Sequence, residues 1–476
     1  MPNGRRSANG RKARSCCRTM AIGSTSDRSR SANIEGNAPM IDRRTMLTGA
    51  GAALGVAISA RSYAQIKGAN DRLRVAVVGV NGRGQAHLSA FSKQPNVAIT
   101  HLVDVDSDVL AKRAAAFAAK GNSAIKTEGD YRRLLDRKAV DVITVATPDH
   151  WHAKLAIDAM DSGRHCYMEK PIGIAPAEGE ALIATQKRTG RVLQVGNQQR
   201  SSPETQQLGA LIRAGELGDI YEAQTWYANN RGSIGKGNVV APPANLNWDL
   251  WQGPRPRGEY RSNLVHYNWH WFWKYGTGEI CNNAMHELDV ARWLMGLTYP
   301  NTVAARGAKR FHAGDDWEMY DSLALDLTYD DNRVIRWKGE SCNGQQTYGR
   351  GRGVLLLGTK GSAIVDRNGF ELYDLAGKQT RQVKAAATSE TTGTVGEGVL
   401  DVYHARNFVD VIRGKASALA SPIAEGHIST TLCHLGNIAY RTNSVLTIDP
   451  ATGKPASAEA MKLWAVDYQP GWEVRA

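Results

Sequence analysis

Two parts of the sequence contain side chains whose chemistry suits proton exchange with a bound ligand. Lys170 lies in the tripeptide Glu-Lys-Pro at residues 169–171, directly after a predicted strand. A later predicted helix carries residues spaced at i, i+4, i+7 and i+11, which share one face, namely Asn282, His286, Asp289 and Trp293. An amine or an imidazole can take a proton from a hydroxyl group. Taken singly, Lys170 is typical of a solvated lysine and His286 of a core histidine. The predicted strands and helices around them therefore have to show whether the two residues share a functional site.

A glycine-rich segment predicts a nucleotide site. Residues 79–84 read Gly-Val-Asn-Gly-Arg-Gly between a predicted strand and a predicted helix. Asn81 replaces the middle glycine of the usual G-x-G-x-x-G pattern, but asparagine tolerates the left-handed conformation. We therefore expect the tight turn to persist. Backbone N–H groups at the start of the helix would then bind a pyrophosphate.

Asp104 follows Gly84 by twenty residues and ends the next predicted strand. A carboxylate at this position accepts hydrogen bonds from ribose hydroxyls and repels a 2′-phosphate. The sequence therefore predicts NAD as the cofactor, with NADP as the alternative. A domain of the same fold that no longer binds a cofactor would contain similar elements.

These residues need a sheet that brings the ends of several strands together. Between residues 70 and 198, short apolar strands alternate with helices. This pattern predicts an α/β Rossmann domain with a doubly wound parallel sheet. Ligands of such sheets bind at the carboxyl ends of the strands, where Asp104 and Lys170 are predicted to lie.

The pattern changes between residues 199 and 445. Alternating apolar and polar residues, separated by turn signals such as Asn368-Gly369, predict antiparallel strands. This part is predicted to be an α+β domain with an open, mostly antiparallel sheet. Residues 385–397 are expected to form a surface loop, and residues 446–476 a C-terminal tail.

The sequence resembles the glucose–fructose oxidoreductase/inositol dehydrogenase family, the Gfo/Idh/MocA group, over residues 72–445. The resemblance depends on residues 79–84, Asp104, Thr147-Pro-Asp-His-Trp-His152, Glu169-Lys-Pro171, Gly196-Asn197 and His286-Glu-Leu-Asp289. It implies an oxidoreductase that transfers hydride between a nicotinamide cofactor and a secondary hydroxyl of a sugar, glycoside or cyclitol. It also implies a homo-oligomer.

The same resemblance implies roles for individual residues. Lys170 would lie between the nicotinamide and the substrate hydroxyl, and His286 would be its partner in proton transfer. The cofactor would contact Gly79, Asn81, Gly82, Arg83, Gly84, Asp104, Thr147, Pro148, His152, Glu169, Lys170 and Asn197. Many family members have aspartate where this chain has Asn282. Because an amide cannot act as a base, proton abstraction is expected at Lys170 or His286, with the Asn282 amide orienting the hydroxyl or His286.

Aromatic residues predict the ligand of the second domain. Nine of the twelve tryptophans lie between Trp226 and Trp337, and several directly precede the helix with His286. Aromatic faces suit the apolar C–H face of a sugar ring. A carbohydrate substrate is therefore expected, with contacts from Tyr227, His270, Trp271 and Asp289. Because side chains alternate along a strand, about half of these aromatic residues are expected to be core.

The sequence predicts neither a metal site nor disulfide bonds. Val290 interrupts the H-E-x-x-H zinc pattern that would begin at His286, and the His150-Trp-His152 segment has no further ligands at a suitable spacing. The cysteines of the predicted domains are widely spaced, namely Cys166, Cys281, Cys342 and Cys433. Pairing in an oxidising compartment is the alternative, but buried thiols are expected.

The net charge of +13 is concentrated at the start of the chain. Residues 1–64 carry +8, and the remaining 412 residues carry only +5, so the charge does not indicate a nucleic acid partner. Residues 1–39 are rich in Arg and Ser without apolar periodicity, which predicts a disordered basic segment. Either translation begins at Met40 and this segment is a mis-assigned start, or it is a basic tail.

Residues 40–64 resemble a twin-arginine signal peptide. Arg43-Arg44 precedes an apolar run, and Ser62-Tyr-Ala64 is a small-x-small cleavage site. The run is too short and too rich in Gly and Ala for a stable membrane span. The pattern predicts export by the twin-arginine machinery to the periplasm or beyond, with cleavage near Ala64. An uncleaved anchor and a chance arginine pair are the alternatives.

Export in the folded state would let the protein carry its cofactor across the membrane. To stay bound for hours, the cofactor needs a Kd on the order of 0.1 nM, so a tightly bound NAD is expected. Two other functions fit the sequence. One is an NAD-dependent glycoside hydrolase that acts by transient oxidation at C3 and elimination, and the other is a non-catalytic secreted sugar-binding protein.

Overall fold

The computed structural model describes residues 72–121, 125–136, 139–385 and 398–475. The predicted basic segment and the predicted export signal lie outside the described residues. Nearly all of the predicted surface loop at residues 385–397 lies outside them as well.

The first sheet has six parallel strands in the order β3-β2-β1-β4-β5-β6. The strands are β1 Leu73–Val78, β2 Val97–Val103, β3 Lys126–Glu128, β4 Val142–Val145, β5 His165–Met168 and β6 Leu193–Val195. Between them lie α1 Gly84–Ser92, α2 Ser107–Ala118, α3 Arg132–Leu135, α4 His152–Asp161 and α5 Pro176–Thr189. Helices cover both faces, which explains why the central strands are continuous apolar runs. The predicted Rossmann fold is confirmed.

The second sheet has nine strands in the order β14-β13-β12-β11-β7-β10-β9-β8-β15. The strands are β7 Ile220–Ala228, β8 Thr302–Ala308, β9 Ser322–Thr328, β10 Val334–Glu340, β11 Arg352–Gly358, β12 Ser362–Asp366, β13 Gly369–Tyr373, β14 Gln379–Lys384 and β15 Leu446–Thr447. All neighbours are antiparallel except β7 and β10. The predicted open, mostly antiparallel sheet is therefore confirmed.

Six helices belong to the second part of the chain that the structure describes. They are α6 Pro203–Arg213, α7 Trp248–Gln252, α8 Met285–Met295, α9 Val399–Ile412, α10 Ile423–Thr442 and α11 Ala458–Met461. Helices α8 and α10 pack on the second sheet and share one large apolar core with it. In this way the core fixes the position of α8, the helix that carries His286.

The C-terminal residues differ from the predicted tail. Strand β15 pairs with β8 at the edge of the second sheet. Trp464 is buried, and its carbonyl accepts a hydrogen bond of 3.0 Å from the backbone N–H of Ala177 in α5. The ring of Trp472 packs edge-on against Trp151 at 5.3 Å between ring centres. Trp464 belongs to the apolar core of the second sheet and Trp472 packs against the core of the first domain, so this segment is held by apolar contacts with both domains.

Residues 229–275, called here the cover segment, connect β7 to the region before α8 and lie over the first sheet. The backbone N–H of Asn247 donates to the carbonyl of Val105 at 2.9 Å, and that of Ser107 donates to the carbonyl of Asn245 at 2.9 Å. The segment has its own apolar cluster, formed by Leu246, Trp251, Tyr260, Leu264, Trp269, Phe272 and Tyr275. It therefore holds a defined position at the carboxyl ends of β1 and β2.

The helices and the cysteines can be compared with the predictions about a membrane span and about thiols. Within the described ranges, no helix combines the length and the apolar character needed to cross a bilayer. The four cysteines there are buried free thiols, which confirms that prediction.

Candidate active site

A cavity of about 660 Å³ is bounded by the carboxyl ends of the first sheet, the cover segment and α8. Thirteen predicted site residues lie on its wall, namely Gly79, Asn81, Gly82, Arg83, Asp104, Thr147, Pro148, His152, Glu169, Lys170, His270, Asn282 and His286. Five others do not, namely Gly84, Asn197, Tyr227, Trp271 and Asp289. The fold thus brings most of the predicted cofactor and proton-transfer residues together.

The glycine segment makes a tight turn between β1 and α1. Gly79 has φ +80°, and a Cβ there would lie 2.6 Å from the carbonyl oxygen of Ala146. A Cβ on Gly84 would lie 1.9 Å from the carbonyl oxygen of Gly79, whereas one on Gly82 would have no atom within 4 Å. Asn81 is not in the left-handed region, so the expectation that it supplies this conformation is wrong. Gly79 supplies it, and Gly84 lets the helix start against the turn.

Asp104 lies at the end of β2 on the cavity wall. Its Oδ2 accepts a hydrogen bond from the N–H of Val80 at 2.9 Å, and its Oδ1 accepts one from the N–H of Asp106 at 3.1 Å. Burial raises the pKa of Asp104, and these two hydrogen bonds oppose the shift. A carboxylate oxygen accepts more than one hydrogen bond, so Asp104 retains capacity for ribose hydroxyls.

Arg113 of α2 also lies on the cavity wall and was not predicted. Its guanidinium donates to the carbonyl of Asn81 at 2.9 Å. An arginine near the ribose can accommodate a 2′-phosphate. The wall therefore contains Asp104, which favours NAD, and Arg113, which is compatible with NADP.

Glu169 is the centre of a buried charge network. Its Oε1 accepts hydrogen bonds from Arg83 Nε at 2.7 Å, Gln198 Nε2 at 3.0 Å and His87 Nε2 at 3.1 Å. The guanidinium of Arg83 also pairs with Asp401 of α9. Burial alone would raise the pKa of Glu169, but Arg83 and His87 more than offset it, and the pKa lies well below its usual value. Glu169 and Arg83 thus hold each other in place next to Lys170.

His152 connects two parts of the cavity wall. Its Nε2 lies 2.9 Å from the carbonyl oxygen of Thr147, and its Nδ1 lies 2.5 Å from that of Pro171. Burial lowers the pKa of His152, and both hydrogen bonds oppose the shift. The imidazole therefore fixes the loop after β4 relative to the segment that follows Lys170.

Lys170 follows β5 and points its amine at α8. Its Nζ donates a hydrogen bond to the backbone carbonyl of Asn282. Burial lowers the pKa of Lys170, although the charges of Glu169 and Asp149 oppose the shift. A larger fraction of the amine is therefore neutral than in an exposed lysine, and a neutral amine can act as a base.

His286 lies one turn after Asn282, which belongs to the π-helical turn Ile280–Ala284. Within the described part of the chain, no group hydrogen-bonds to its imidazole. Burial, followed by the charges of Lys170 and Arg367, lowers the pKa of His286 well below its usual value. His286 is thus a neutral imidazole on the cavity wall, available to a ligand.

His270 of the cover segment has one ring nitrogen available as an acceptor. Its Nδ1 lies 2.6 Å from the carbonyl oxygen of Tyr267, so Nδ1 carries the hydrogen and Nε2 has the free lone pair. The ring stacks on Trp269 at 3.6 Å between ring centres. Burial lowers the pKa of His270 to about 3. The side chain therefore stays neutral and can accept a hydrogen bond from a hydroxyl.

Asp289 and Trp293 do not reach the cavity, although they share a helix face with His286. Each helical residue advances about 1.5 Å, so Trp293 lies about 10 Å beyond His286 along the axis. Asp289 instead pairs with Arg200 through two hydrogen bonds of 2.8 Å, and Trp293 packs under the same guanidinium at 5.4 Å. Asp289 is therefore placed in a buried ion pair and not against a substrate.

This buried ion pair gives a prediction about stability. Changing Asp289 to Asn leaves the guanidinium of Arg200 with Glu425 as its remaining carboxylate partner. We expect the free energy of unfolding, measured by urea denaturation, to fall by about 2 kcal/mol, because a buried charge loses its main partner. The control is Asp161→Asn, which breaks an exposed pair with Arg188 and should change it by less than about 1 kcal/mol. Equal effects of the two changes would contradict this account.

Tyr227, Trp271 and Asn197 are also placed away from the wall. The guanidinium of Arg352 lies 5.2 Å over the ring of Tyr227 and occupies the wall position instead. Trp271 stacks on Trp317 at 4.1 Å in a separate apolar cluster. Asn197 is buried, and its side-chain amide has no hydrogen-bond partner within the described ranges. The aromatic run before α8 is thus divided between cavity wall and core, but Asn268–Trp271 forms a 3₁₀ turn and not a strand, so the alternation expected for a strand does not describe the division.

The cavity wall contains charged residues that were not predicted. Arg352 of β11 forms two hydrogen bonds with Glu287, of 2.7 and 3.0 Å. Burial, followed by the charge of Arg352, lowers the pKa of Arg367 to about 9. These arginines lie on the second sheet, and no local sequence signal marks them. Asp149 could have been noticed, since it lies in the Thr147–His152 motif.

Across the described ranges, no three His, Cys, Asp or Glu side chains lie close enough together to hold a metal ion. The chemistry of the wall is therefore that of an amine, neutral imidazoles and paired charges.

Comparison with known proteins shows similarity to several dehydrogenases and hydrolases. A glycosyl hydrolase family 109 protein of Saccharopolyspora erythraea is 33% identical over 201 residues, which cover 37% of this chain and 44% of the relative. A 4-carboxy-2-hydroxymuconate-6-semialdehyde dehydrogenase of a Sphingobium species is 29% identical over 177 residues, covering 37% and 55%. The chain spans between 35% and 55% of the length of such curated relatives.

A solved structure of levoglucosan dehydrogenase in complex with NADH and levoglucosan has the same fold. Its TM-score is 0.62 at 20% sequence identity, and the match covers 79% of this chain and 99% of that protein. The profile of the oxidoreductase family with an NAD-binding Rossmann fold matches residues 73–197. The profile of the C-terminal α/β domain of the same oxidoreductase family matches residues 222–373. Since both domains are matched in order, this chain belongs to the Gfo/Idh/MocA oxidoreductase family.

Proposed function

We propose that this protein transfers a hydride between a bound NAD and a secondary hydroxyl of a sugar, glycoside or cyclitol. The observation that carries the proposal is the position of Lys170 and His286 on the wall of the cavity that begins at the glycine turn. Proton acceptors thus lie in the same cavity as the nucleotide-binding elements.

The residues of the wall fit a dinucleotide. Gly82 leaves open space where a side chain would otherwise lie. Asp104 has free acceptor capacity, and Thr147 Oγ1 is buried with no hydrogen-bond partner among the described residues. When bound, NAD supplies a ring that accepts a hydride with its electron pair. Asp104 would hold the ribose, and backbone N–H groups at the start of α1 would hold the pyrophosphate.

The proton of the substrate hydroxyl goes to Lys170 in this proposal. Burial favours its neutral amine, and the Glu169 network fixes the backbone on which it stands. His286 and His270 are neutral and can orient the hydroxyls of the sugar. Asn282 fixes Lys170 through its carbonyl. Most of the rate then comes from positioning.

The direct test measures bound nucleotide and hydride transfer on the full chain. Heat release followed by mass spectrometry should yield NAD. Addition of D-glucose, myo-inositol, levoglucosan and methyl glucosides should produce the NADH absorbance with at least one of them. Purified protein that contains no nucleotide and takes up none, or a bound nucleotide that no sugar reduces, would contradict the proposal.

Asp104 gives a prediction about cofactor choice. In the Asp104→Asn variant the repulsion of a 2′-phosphate is lost, while Arg113 remains on the wall. We expect the preference for NAD over NADP to fall by about tenfold, which corresponds to about 1.4 kcal/mol. Fluorescence titration of nucleotide-free protein with both cofactors measures the ratio. The control is Asp108→Asn on the outer side of α2, which should leave the ratio unchanged.

A second candidate function is glycoside hydrolysis by transient oxidation. It is supported by the 33% identity to a glycosyl hydrolase family 109 protein. Both functions require Lys170, a bound NAD and a sugar, so only the products that they form distinguish them. Incubation with nitrophenyl glycosides distinguishes them, because release of nitrophenol without net NADH would favour hydrolysis. NADH formed without nitrophenol would favour the simple dehydrogenase.

We also propose that residues 40–64 direct export of the folded protein with NAD already bound. The support is the sequence pattern of paired arginines, apolar run and small-x-small site. Replacing Arg43 and Arg44 together by Lys should leave the protein in the cytoplasm, as measured by cell fractionation. Export of this variant at the normal level would contradict the proposal.

Light scattering of the purified chain tests the homo-oligomer that the family resemblance implies.

A further inference from the structure

Asp149 is a buried carboxylate that shares the cavity wall with Lys170. Its Oδ2 accepts a hydrogen bond of 2.6 Å from the hydroxyl of Thr277. Burial raises the pKa of Asp149 to about 7, although the Thr277 hydroxyl and the charge of Lys170 oppose the shift. A carboxyl group of this kind can both take up and release a proton at neutral pH. The proposed hydride transfer gives Asp149 no task of its own.

Thr277 lies between the first cavity and a second cavity of about 390 Å³. Its hydroxyl contacts Asp149, and the residue itself lies on the wall of the second cavity together with His434 of α10. The same wall includes the exposed residues Lys462 and Asp467. The second cavity therefore opens to the surface, and Thr277 separates it from the wall that holds Asp149.

Two further titratable groups, Cys281 and His434, lie on the same side of Thr277 as the second cavity. Sγ of Cys281 lies 4.0 Å from Nδ1 of His434, and His434 lines the second cavity together with Thr277. Burial alone would raise the pKa of Cys281, but Cys433 and His434 more than offset it and lower the pKa to about 5. Nε2 of His434 is buried and has no hydrogen-bond partner within the described ranges. His434 is therefore a titratable group on the wall of the second cavity.

We infer that Asp149 and Thr277 form a proton path from Lys170 to the second cavity. The inference rests on the proposed hydride transfer. During oxidation the substrate C–H bond breaks with its electron pair moving to NAD, and the O–H proton moves to the Lys170 amine. The Lys170 ammonium then gives a proton to the Asp149 carboxylate. Asp149 passes a proton to the Thr277 oxygen while the Thr277 hydroxyl releases its own proton into the second cavity, which opens to solvent.

The path provides an exit for the proton on Lys170 when the first cavity is filled. A cofactor and a sugar that occupy this cavity displace water from Lys170, so the proton cannot leave on that side. Asp149 acts through Lys170 as a positioning residue and proton acceptor. With the path, Lys170 returns to its neutral form before the product leaves.

The test follows hydride transfer and proton release separately in the full chain. NADH absorbance reports the first and a pH indicator dye reports the second, after mixing with the sugar that reduces the bound cofactor fastest. Thr277→Val has nearly the same shape without a hydroxyl, and Thr277→Ser keeps the hydroxyl as the matched control. In Thr277→Val, proton release should become about tenfold slower than hydride transfer. In Thr277→Ser the two should stay together, as in the unchanged chain.

Asp149→Asn provides a second variant, since its amide oxygen can still accept from Thr277. The titratable groups that face Asp149 are Lys170, Cys281 and His434. Because only the ionised carboxylate can take the proton, the rate of proton release by the unchanged chain should rise with pH through about pH 7. Asp149→Asn should lose this rise and keep the change due to Lys170.

The possible outcomes separate this inference from the proposed function. Hydride transfer with equally fast proton release in Thr277→Val, or an unchanged pH profile in Asp149→Asn, would overturn the proton path alone. If the unchanged chain transfers no hydride from any sugar, the proposed function fails and the proton path fails with it.

Discussion

Replacing Lys170 by Ala should reduce hydride transfer by about 10³-fold while leaving the cofactor bound. A positioned base contributes about 10² to 10⁴ in rate, and Lys170 is the amine whose pKa is lowered by burial on the cavity wall. A 10³-fold loss corresponds to about 4 kcal/mol of transition-state stabilisation. The measurement is a single-turnover reduction of the bound NAD by the fastest sugar.

The pH dependence of the same step provides a further check. Oxidation needs the neutral amine, so its rate should rise as the pH approaches the pKa of Lys170 and then level off. Because burial lowers that pKa, the midpoint of the rise should lie below the ordinary lysine value of about 10.4. Lys170→Ala should lose this part of the profile. The variant should still release NAD on heating, because the glycine turn and Asp104 are unchanged.

Lys187 provides the control for Lys170. It lies exposed on α5, so Lys187→Ala should keep the rate of the unchanged chain. If Lys170→Ala also kept that rate, with bound NAD present, then the assignment of Lys170 as the base would be incorrect and His286 would be the remaining candidate.

Replacing Gly84 by Ala should prevent the first domain from holding a cofactor. The added Cβ would lie 1.9 Å from the carbonyl oxygen of Gly79, so backbone and not a flexible side chain has to move. We expect the free energy of unfolding to fall by more than the roughly 1–3 kcal/mol of an ordinary overpacked site. Urea denaturation and the nucleotide released on heating measure the two effects.

Gly82→Ala is the matched change in the same turn. A Cβ at Gly82 meets nothing within 4 Å, so the free energy of unfolding of the nucleotide-free protein should change by less than about 1 kcal/mol. The added methyl group should still weaken NAD binding, because the backbone there has to approach the pyrophosphate. A Gly84→Ala variant as stable as Gly82→Ala would show that the close contact does not constrain the fold.

Local signals predicted many elements of this fold closely. Strand β7, Ile220–Ala228, lies in the part of the chain where alternating apolar and polar residues predict strands. Helix α5, Pro176–Thr189, lies in the part of the chain where short strands are predicted to alternate with helices. A proline at the first helical position and a left-handed glycine, Gly190, mark its two ends. Such features are local, so the sequence shows them directly.

Pairings between distant residues could not be predicted in this way. Arg83 pairs with Asp401, which lies 318 positions later in the chain. Strand β11 was not singled out, because it is buried along most of its length and lacks polar alternation. Asp289 was placed on the correct helix face, but the partner that captures it, Arg200, comes from another element. Periodicity identifies a face and does not identify what lies against it.

The cover segment has a consequence for how long a nucleotide stays in the protein. It supplies wall residues such as His266 and Trp269 and is held by backbone hydrogen bonds to Val105 and Ser107. A dinucleotide in the cavity is enclosed by a part of the chain that belongs to the second domain in sequence. Its residence time should therefore depend on how often this segment detaches, and the same opening rate would set the pace of any exchange with free nucleotide.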